Sequence, residues 1–352
     1  MIISRTPYRV SFFGGGTDYP GWYLKHGGQV LSTTIDKYLY ISCRYLPPFF
    51  EHRLRLVYSK IEMCQHSNEL DHPSVREVMK FLGIDSGLEL HYDGDLPGRS
   101  GLGSSSAFTV GLLNALYAYQ GKMVSPHQIT KESIHIEQNI INETVGSQDQ
   151  TNAAYGGFNR IQFKQSGEII VDPIIIHQER IKALDNNLML FYTGIMRTAE
   201  KVALSYVENI DKKEKKLNLM YDMVDKAIEI LNKGELDDFG FLLNEAWQQK
   251  RSLSKLVSNS HIDNIYASAL SAGALGGKLS GAGGGGFLQV YVPLEKQQAV
   301  KKKLSHLLHV PYNFETNGSQ IILYDQHKEY KIEENDRAEN KIQDFLELKD
   351  LK

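Results

Sequence analysis

Cysteine is almost absent: Cys43 and Cys64 are the only two in 352 residues. Neither has a His or Cys at ligand spacing, so they make neither a zinc site nor a disulfide framework, and both read as plain reduced thiols. An excess of one charge is lacking as well. A net charge of −3 offers no general attraction to nucleic acid or to an anionic membrane surface, so neither is expected as a partner. No stretch approaches the roughly 20 apolar residues that cross a bilayer. Met1 to Arg9 holds no apolar run followed by a cleavage site, and a cytoplasmic location is the expectation.

What is present is an apolar content of 41%, enough for one large or two medium domains with real cores. Alternation at residues 8–13, 29–44 and 54–58 predicts an opening series of strands. A helix at 73–82, a strand at 88–92 and a helix at 104–119 follow by their spacing. Ser125 as cap and Pro126 in the first turn start a further helix that carries Glu137. Gly156-Gly157 and alternating runs up to Ile175 return the chain to sheet, which sets a first domain at 1–180. A strand at 188–192, helices across 198–257 broken near Gly234, a helix at 262–272 and a strand at 287–292 predict a mixed second domain at 181–330. Residues 331–352 are dense in charge and read as a peripheral tail.

One segment carries chemistry on its face: Asp95-Leu96-Pro97-Gly98-Arg99-Ser100-Gly101-Leu102-Gly103-Ser104-Ser105-Ser106-Ala107, placed between a strand and a helix. Glycines let backbone approach a ligand closely, amides at a helix start stabilise phosphate oxygens, and hydroxyls can bind phosphate or magnesium. The loop has no G-x-x-x-x-G-K-[ST] lysine and no dinucleotide-type glycine spacing, so it belongs to another nucleotide architecture.

Together with Pro7-Tyr8-Arg9-Val10-Ser11-Phe12-Phe13-Gly14-Gly15-Gly16-Thr17-Asp18 and Lys278-Leu279-Ser280-Gly281-Ala282-Gly283-Gly284-Gly285-Gly286-Phe287, the loop makes the chain resemble the galactokinase, homoserine kinase, mevalonate kinase and phosphomevalonate kinase (GHMP) superfamily over nearly its whole length. That resemblance implies an α+β, two-domain fold with a β-rich N-terminal domain and a ferredoxin-like C-terminal domain. It implies ATP and magnesium as cofactors, a sugar or sugar-phosphate substrate, and a possible homodimer. It implies that Pro97, Arg99, Ser100, Gly101, Leu102, Gly103, Ser104, Ser105 and Ser106 bind ATP, and that Glu137 and Ser105 hold the metal. Asp149 matches the catalytic aspartate and Arg9 the basic residue near the transferred phosphate. Gly15, Gly16, Thr17, Asp18, Asp149 and Gly283 match substrate-binding positions. Arg99 stands where the superfamily usually has glycine, and Ser106 where alanine is usual.

Within the superfamily, the triple glycine before Thr17, the Gly146-Ser147-Gln148-Asp149-Gln150 segment and Tyr192-Thr193-Gly194-Ile195-Met196-Arg197-Thr198-Ala199 resemble bacterial heptose kinases and the kinase part of fucokinase. Heptose 7-phosphate kinases phosphorylate the anomeric hydroxyl of a substrate that already carries a dianion. Arg197 is then the first candidate for its phosphate, with Arg44 and Arg99 behind it, because arginine suits fork-like phosphate binding. The alternatives are a kinase for an unphosphorylated deoxyhexose or heptose, and a sugar or nucleotide sensor without turnover. His26, His91 and His135 read as structural.

Overall fold

The computed structural model describes residues 1–195, 199–208, 210–325 and 330–339. The opening alternation is realised as two long antiparallel strands, Ile2–Phe13 and Gly28–Tyr45. From Thr6 onward every residue of the first strand is buried, because helices Ser104–Tyr119, Glu214–Lys233 and Leu236–Arg251 all pack on it. Through the larger sheet the order is Gln320–Tyr324, Ile2–Phe13, Gly28–Tyr45, Leu88–Gly94, Leu54–Val57, Ile61–Cys64. Phe158–Phe163 and Phe314–Glu315 also pair with Gly28–Tyr45, and Ile169–Pro173 pairs with Phe158–Phe163. The pairing of Leu54–Val57 with Leu88–Gly94 is parallel.

The smaller sheet contains Leu188–Tyr192, Gly276–Leu279, Phe287–Tyr291 and Leu308–Val310, all antiparallel, in the spatial order fourth, first, third, second. That is the ferredoxin-like arrangement the resemblance implies. Gly234 does separate two helices, Glu214–Lys233 and Leu236–Arg251. The expected limits of the second domain are crossed at one end: Phe314–Glu315 and Gln320–Tyr324 fall within 181–330 yet lie in the larger sheet. Alternation shows that a segment is a strand but not which sheet receives it.

Aromatic packing joins the two sheets. Phe239, from helix Leu236–Arg251, stands edge-on to Phe12 and Phe13 at ring distances of 5.4 and 5.0 Å. Gly240 on the same helix faces Gly276, whose Cβ, if present, would lie 1.9 Å from the Gly240 carbonyl. The missing side chains let helix and strand touch backbone to backbone. Helix Lys331–Ala338 lies at the end of the described chain, where the preceding Tyr330 stacks against Tyr45 and meets Phe49 edge-on. Among the described residues no helix is long and apolar enough to cross a membrane.

Candidate functional site

Strand Leu88–Gly94 delivers the chain into the glycine-serine loop, and helix Ser104–Tyr119 leaves it. Gly103 has a left-handed φ of 77°, and a Cβ there would sit 3.3 Å from Arg9 Cγ and 3.4 Å from Asp149 Cγ. Gly101 has φ 85°, and a Cβ there would sit 2.6 Å from the Ser280 carbonyl. Only glycine satisfies both the dihedral and the space. The helix begins without a side-chain cap, so its first amides remain available at a cleft of about 280 Å³. Arg99, Gly101, Gly103, Ser104, Ser105 and Ser106 line that cleft; Pro97, Ser100 and Leu102 do not. Leu102 is fully buried and its carbonyl accepts the Arg9 amide at 3.1 Å, which makes it core rather than a nucleotide contact. Ser100 is buried and its carbonyl accepts the Phe287 amide, so this position ties the loop to the smaller sheet. Pro97 is exposed outside the cleft.

Arg9 grips Asp149 with both prongs of its guanidinium, Nε to Oδ1 at 2.7 Å and Nη2 to Oδ2 at 2.8 Å, while Nη1 donates to the Gly101 carbonyl at 2.8 Å. Such a bidentate pair fixes orientation as well as charge. Asp149 itself lies in the first turn of helix Gln148–Tyr155, and its side chain stays 27% exposed to the cleft. A carboxylate held this way beside a phosphate loop can receive a proton from an acceptor hydroxyl.

Glu137 occupies the opposite kind of environment. It sits on a wide π turn, Ile136–Ile140, that extends helix Pro126–His135 inward. Its Oε2 accepts from Ser106 Oγ at 2.9 Å and from Gln150 Nε2, whereas Oε1 is buried without a partner. Burial pushes this carboxyl up to about 7 against the hydrogen bonds that favour its ionised form. Magnesium is commonly held by one or two carboxylates plus substrate phosphates rather than by a full protein cage. Glu137 matches that pattern in its chemistry, since one oxygen lacks a partner and the Ser106 hydroxyl stands beside it, but it is buried and does not itself line the cleft. The hydroxyl bonded to Glu137 is Ser106, the residue that departs from the usual alanine; Ser105, expected there, is exposed in the same cleft.

Gly15, Gly16 and Asp18 line the cleft, but Thr17 does not. The Thr17 hydroxyl is fully buried and donates to the carbonyls of Gly14 and Gln29, which makes it a clamp for the turn and corrects its expected place at the substrate. Asp18 accepts from the Gly16 amide at 2.9 Å and the Gln148 amide at 3.4 Å. Burial raises its carboxyl, and neighbouring Asp149 pushes in the same direction. A Cβ on Gly146 would lie 2.0 Å from Asp18 Oδ2, so glycine there makes room for the carboxylate. Tyr19 and Tyr206 meet hydroxyl to hydroxyl at 3.2 Å on the cleft wall. Ser11 Oγ and Gln148 Oε1 reach the same cleft, buried and without partners.

Gly283 packs on Val257 and does not line the cleft; the glycine run touches the loop through Gly281 and Gly286 instead. Arg44 is spent in an ion pair with buried Glu89, which Arg55 and His91 also contact, so it is no phosphate ligand here. Arg197 lies outside the described residues. His26 stacks on Trp22 and His135 contacts Asn139, away from the cleft.

Besides Ser11, Tyr19, Gln148 and Tyr206, two lysines line the cleft that the sequence motifs did not single out. Lys278 donates to the Phe12 carbonyl at 2.8 Å, and Lys250 donates to the carbonyls of Leu279 and Gly281. Burial lowers Lys278 to about 7, with Arg9 adding repulsion, and it holds Lys250 well below its usual value. Lys278 opens the third glycine motif and could have been flagged by that position; Lys250 sits in an ordinary helical stretch with no signal.

The chain matches the GHMP kinases N terminal domain over residues 73–157 and the GHMP kinases C terminal family over residues 223–309. It is 32% identical over 315 residues to a D-glycero-alpha-D-manno-heptose 7-phosphate kinase of Campylobacter jejuni, an alignment covering 85% of this chain and 92% of that protein. It is 26% identical over 344 residues to an L-fucokinase/L-fucose-1-P guanylyltransferase of Bacteroides fragilis, covering 86% of this chain and 35% of that longer protein. The crystal structure of a D-glycero-D-manno-heptose 1-phosphate kinase from Bacteroides thetaiotaomicron superposes with a TM-score of 0.77 at 21% identity, covering 93% of this chain and 100% of that one.

Proposed function

The chain belongs to the GHMP kinases, and from that premise, as an ATP-dependent sugar kinase, we propose that it transfers the γ-phosphoryl group of ATP to the anomeric hydroxyl of a heptose 7-phosphate. The observation that carries this reading is the bidentate Arg9–Asp149 pair set against Gly103 of the phosphate loop, with Asp18 buried in the same cleft. Asp149 accepts the proton of the attacking hydroxyl, and Arg9 holds that carboxylate in place and meets the transferred phosphate. Backbone and hydroxyls of Gly101, Gly103, Ser104, Ser105 and Ser106 hold the polyphosphate. Glu137 with Ser106 and Ser105 holds magnesium, which when bound neutralises phosphate charge. Gly15, Gly16 and Asp18 take the sugar hydroxyls.

The likeness to the Campylobacter heptose 7-phosphate kinase, which spans nearly all of both chains, supports the phosphorylated substrate. A second reading, phosphorylation of an unphosphorylated deoxyhexose or heptose, is favoured by the likeness to the Bacteroides L-fucokinase. ADP release from a panel of D-glycero-D-manno-heptose 7-phosphate, the unphosphorylated heptose and L-fucose, with product read by phosphorus NMR, separates them. The proposal expects the highest kcat/KM on the heptose 7-phosphate and a new anomeric phosphate resonance. Equal or better turnover of a free sugar selects the second reading, and ligand binding with no ADP release from any sugar would reduce the protein to a sensor.

A further inference from the structure

Helix Leu236–Arg251 and strand Gly276–Leu279 each send a lysine into the cleft, and the kinase reading above uses neither. Lys250 is 7% and Lys278 4% exposed, a degree of burial that lysine accepts rarely unless paired. Their hydrogen-bond partners are neutral carbonyls, those of Leu279 and Gly281 for Lys250 and that of Phe12 for Lys278. The two nearby carboxylates are already engaged, Asp149 by Arg9 and Asp18 by backbone amides. Two buried amines and the Arg9 guanidinium therefore meet at one cleft. The carbonyl that Lys250 holds belongs to Gly281, where an added Cβ would lie 2.6 Å from Gly101 Cα of the phosphate loop. Lys250 thus stands beside the phosphate loop, and both lysines line the cleft that Arg9 and Asp149 also line.

We propose that Lys250 and Lys278, together with Arg9, bind the phosphoryl group while it is being transferred. The inference rests on the kinase reading of the cleft. In that step the bond from the γ-phosphorus to the oxygen bridging to the β-phosphate breaks, and its electron pair leaves on ADP. The bond to the sugar oxygen forms, and the hydroxyl proton passes to Asp149. Charge in the transition state spreads over the three equatorial oxygens of the moving group, and fixed donors aimed at them lower the barrier. That same burial, with repulsion from Arg9 on both lysines and from Lys278 on Lys250, lowers both against the pull of Asp18. An arriving anion reverses that balance and draws in a proton.

A purely structural tether through the carbonyls makes different predictions, so Lys250→Met and Lys278→Met in the full chain discriminate. Melting temperature, affinity for ADP with magnesium, and affinity for ADP with magnesium and aluminium fluoride are compared with the parent protein. The proposal expects the first two to change little, the aluminium fluoride complex and kcat to weaken by about 10²-fold, and Lys278→Arg to recover part of the loss. Parallel loss of both affinities, or lowered melting with their ratio unchanged, assigns the lysines to structure and overturns it. Should a methionine variant fail to fold, calorimetry of the parent protein at about pH 8 in buffers of different ionisation enthalpy decides: proton uptake with the fluoride complex supports the proposal and none overturns it. If the parent releases no ADP with any sugar and forms no fluoride complex, the kinase reading is what has failed, and the lysine assignment falls with it.

Discussion

The cleft has two walls built on opposite principles. The larger sheet supplies the wall that holds acids: Asp18 and Asp149 line it, with Glu137 buried behind the lining residue Ser106, and all three are placed by side-chain and amide hydrogen bonds within short motifs. The smaller sheet supplies a wall of buried amines and bare backbone, where Lys250 and Lys278 are placed by carbonyl oxygens and the glycine run lies against the loop. Even within the first wall the acids differ. Asp149 is partly open and locked to a guanidinium, whereas Glu137 is sealed among hydroxyl and amide groups that leave one oxygen unpartnered. One carboxylate is suited to proton traffic with a substrate, the other to a cation. Environment, rather than residue type, sets the two acids apart.

The largest test of this division is Asp149→Asn. If Asp149 handles the hydroxyl proton, kcat falls by about 10³-fold while ADP binds within a factor of about two, since the amide still fills the place beside Arg9. Turnover within tenfold of the parent would erase the distinction between the two acids. A stability test addresses the junction of the walls. Gly286 has φ 90°, and a Cβ there would lie 2.1 Å from the Ser100 carbonyl. Gly286→Ala should cost about 3 kcal/mol from left-handed strain plus overpacking. Gly98→Ala in the same loop, where a Cβ meets nothing within 4 Å, should stay within about 0.5 kcal/mol. Denaturant midpoints for the pair check whether the walls are joined by backbone contact.

The same contrast explains what could be read in advance. Strands, the loop helix Ser104–Tyr119 and the break at Gly234 follow from local alternation and spacing, and they appear where those patterns put them. Arg9, Asp149 and Glu137 stand out because each lies inside or beside a motif whose residue types make chemical sense together, and the structure pairs the first two. Thr17 was misplaced because a hydroxyl in a glycine turn looks the same in sequence whether it faces a ligand or clamps two carbonyls. Leu102 was misplaced because loop membership does not say which way a side chain turns. Lys250 was invisible because its position depends on Gly240 seating helix Leu236–Arg251 against Gly276, a contact between distant parts of the chain. The return of Gln320–Tyr324 to the first sheet is a long-range pairing of the same kind.

Arg99 gives the smallest effect and the finest test of the acid wall's margin. Its φ of 59° is left-handed, a conformation that costs a side chain with a Cβ about 1 kcal/mol. Its amide donates to Ser104 Oγ at 3.1 Å, which ties the strained turn to the first residue of the loop helix. The side chain itself is exposed at the cleft and makes no hydrogen bond or ion pair among the described residues. The expectation that this guanidinium meets nucleotide phosphate can be tested at the same position. Arg99→Gly and Arg99→Ala both remove that charge, but only the first relieves the backbone. Arg99→Gly should therefore be more stable than Arg99→Ala by about 1 kcal/mol, while both raise the KM for ATP several-fold at low salt. Because the site is exposed, that rise should shrink as ionic strength increases. Equal stability of the two variants would show that the loop relaxes around alanine, and an unchanged KM would return Arg99 to the solvent and leave the phosphates to the glycine amides alone.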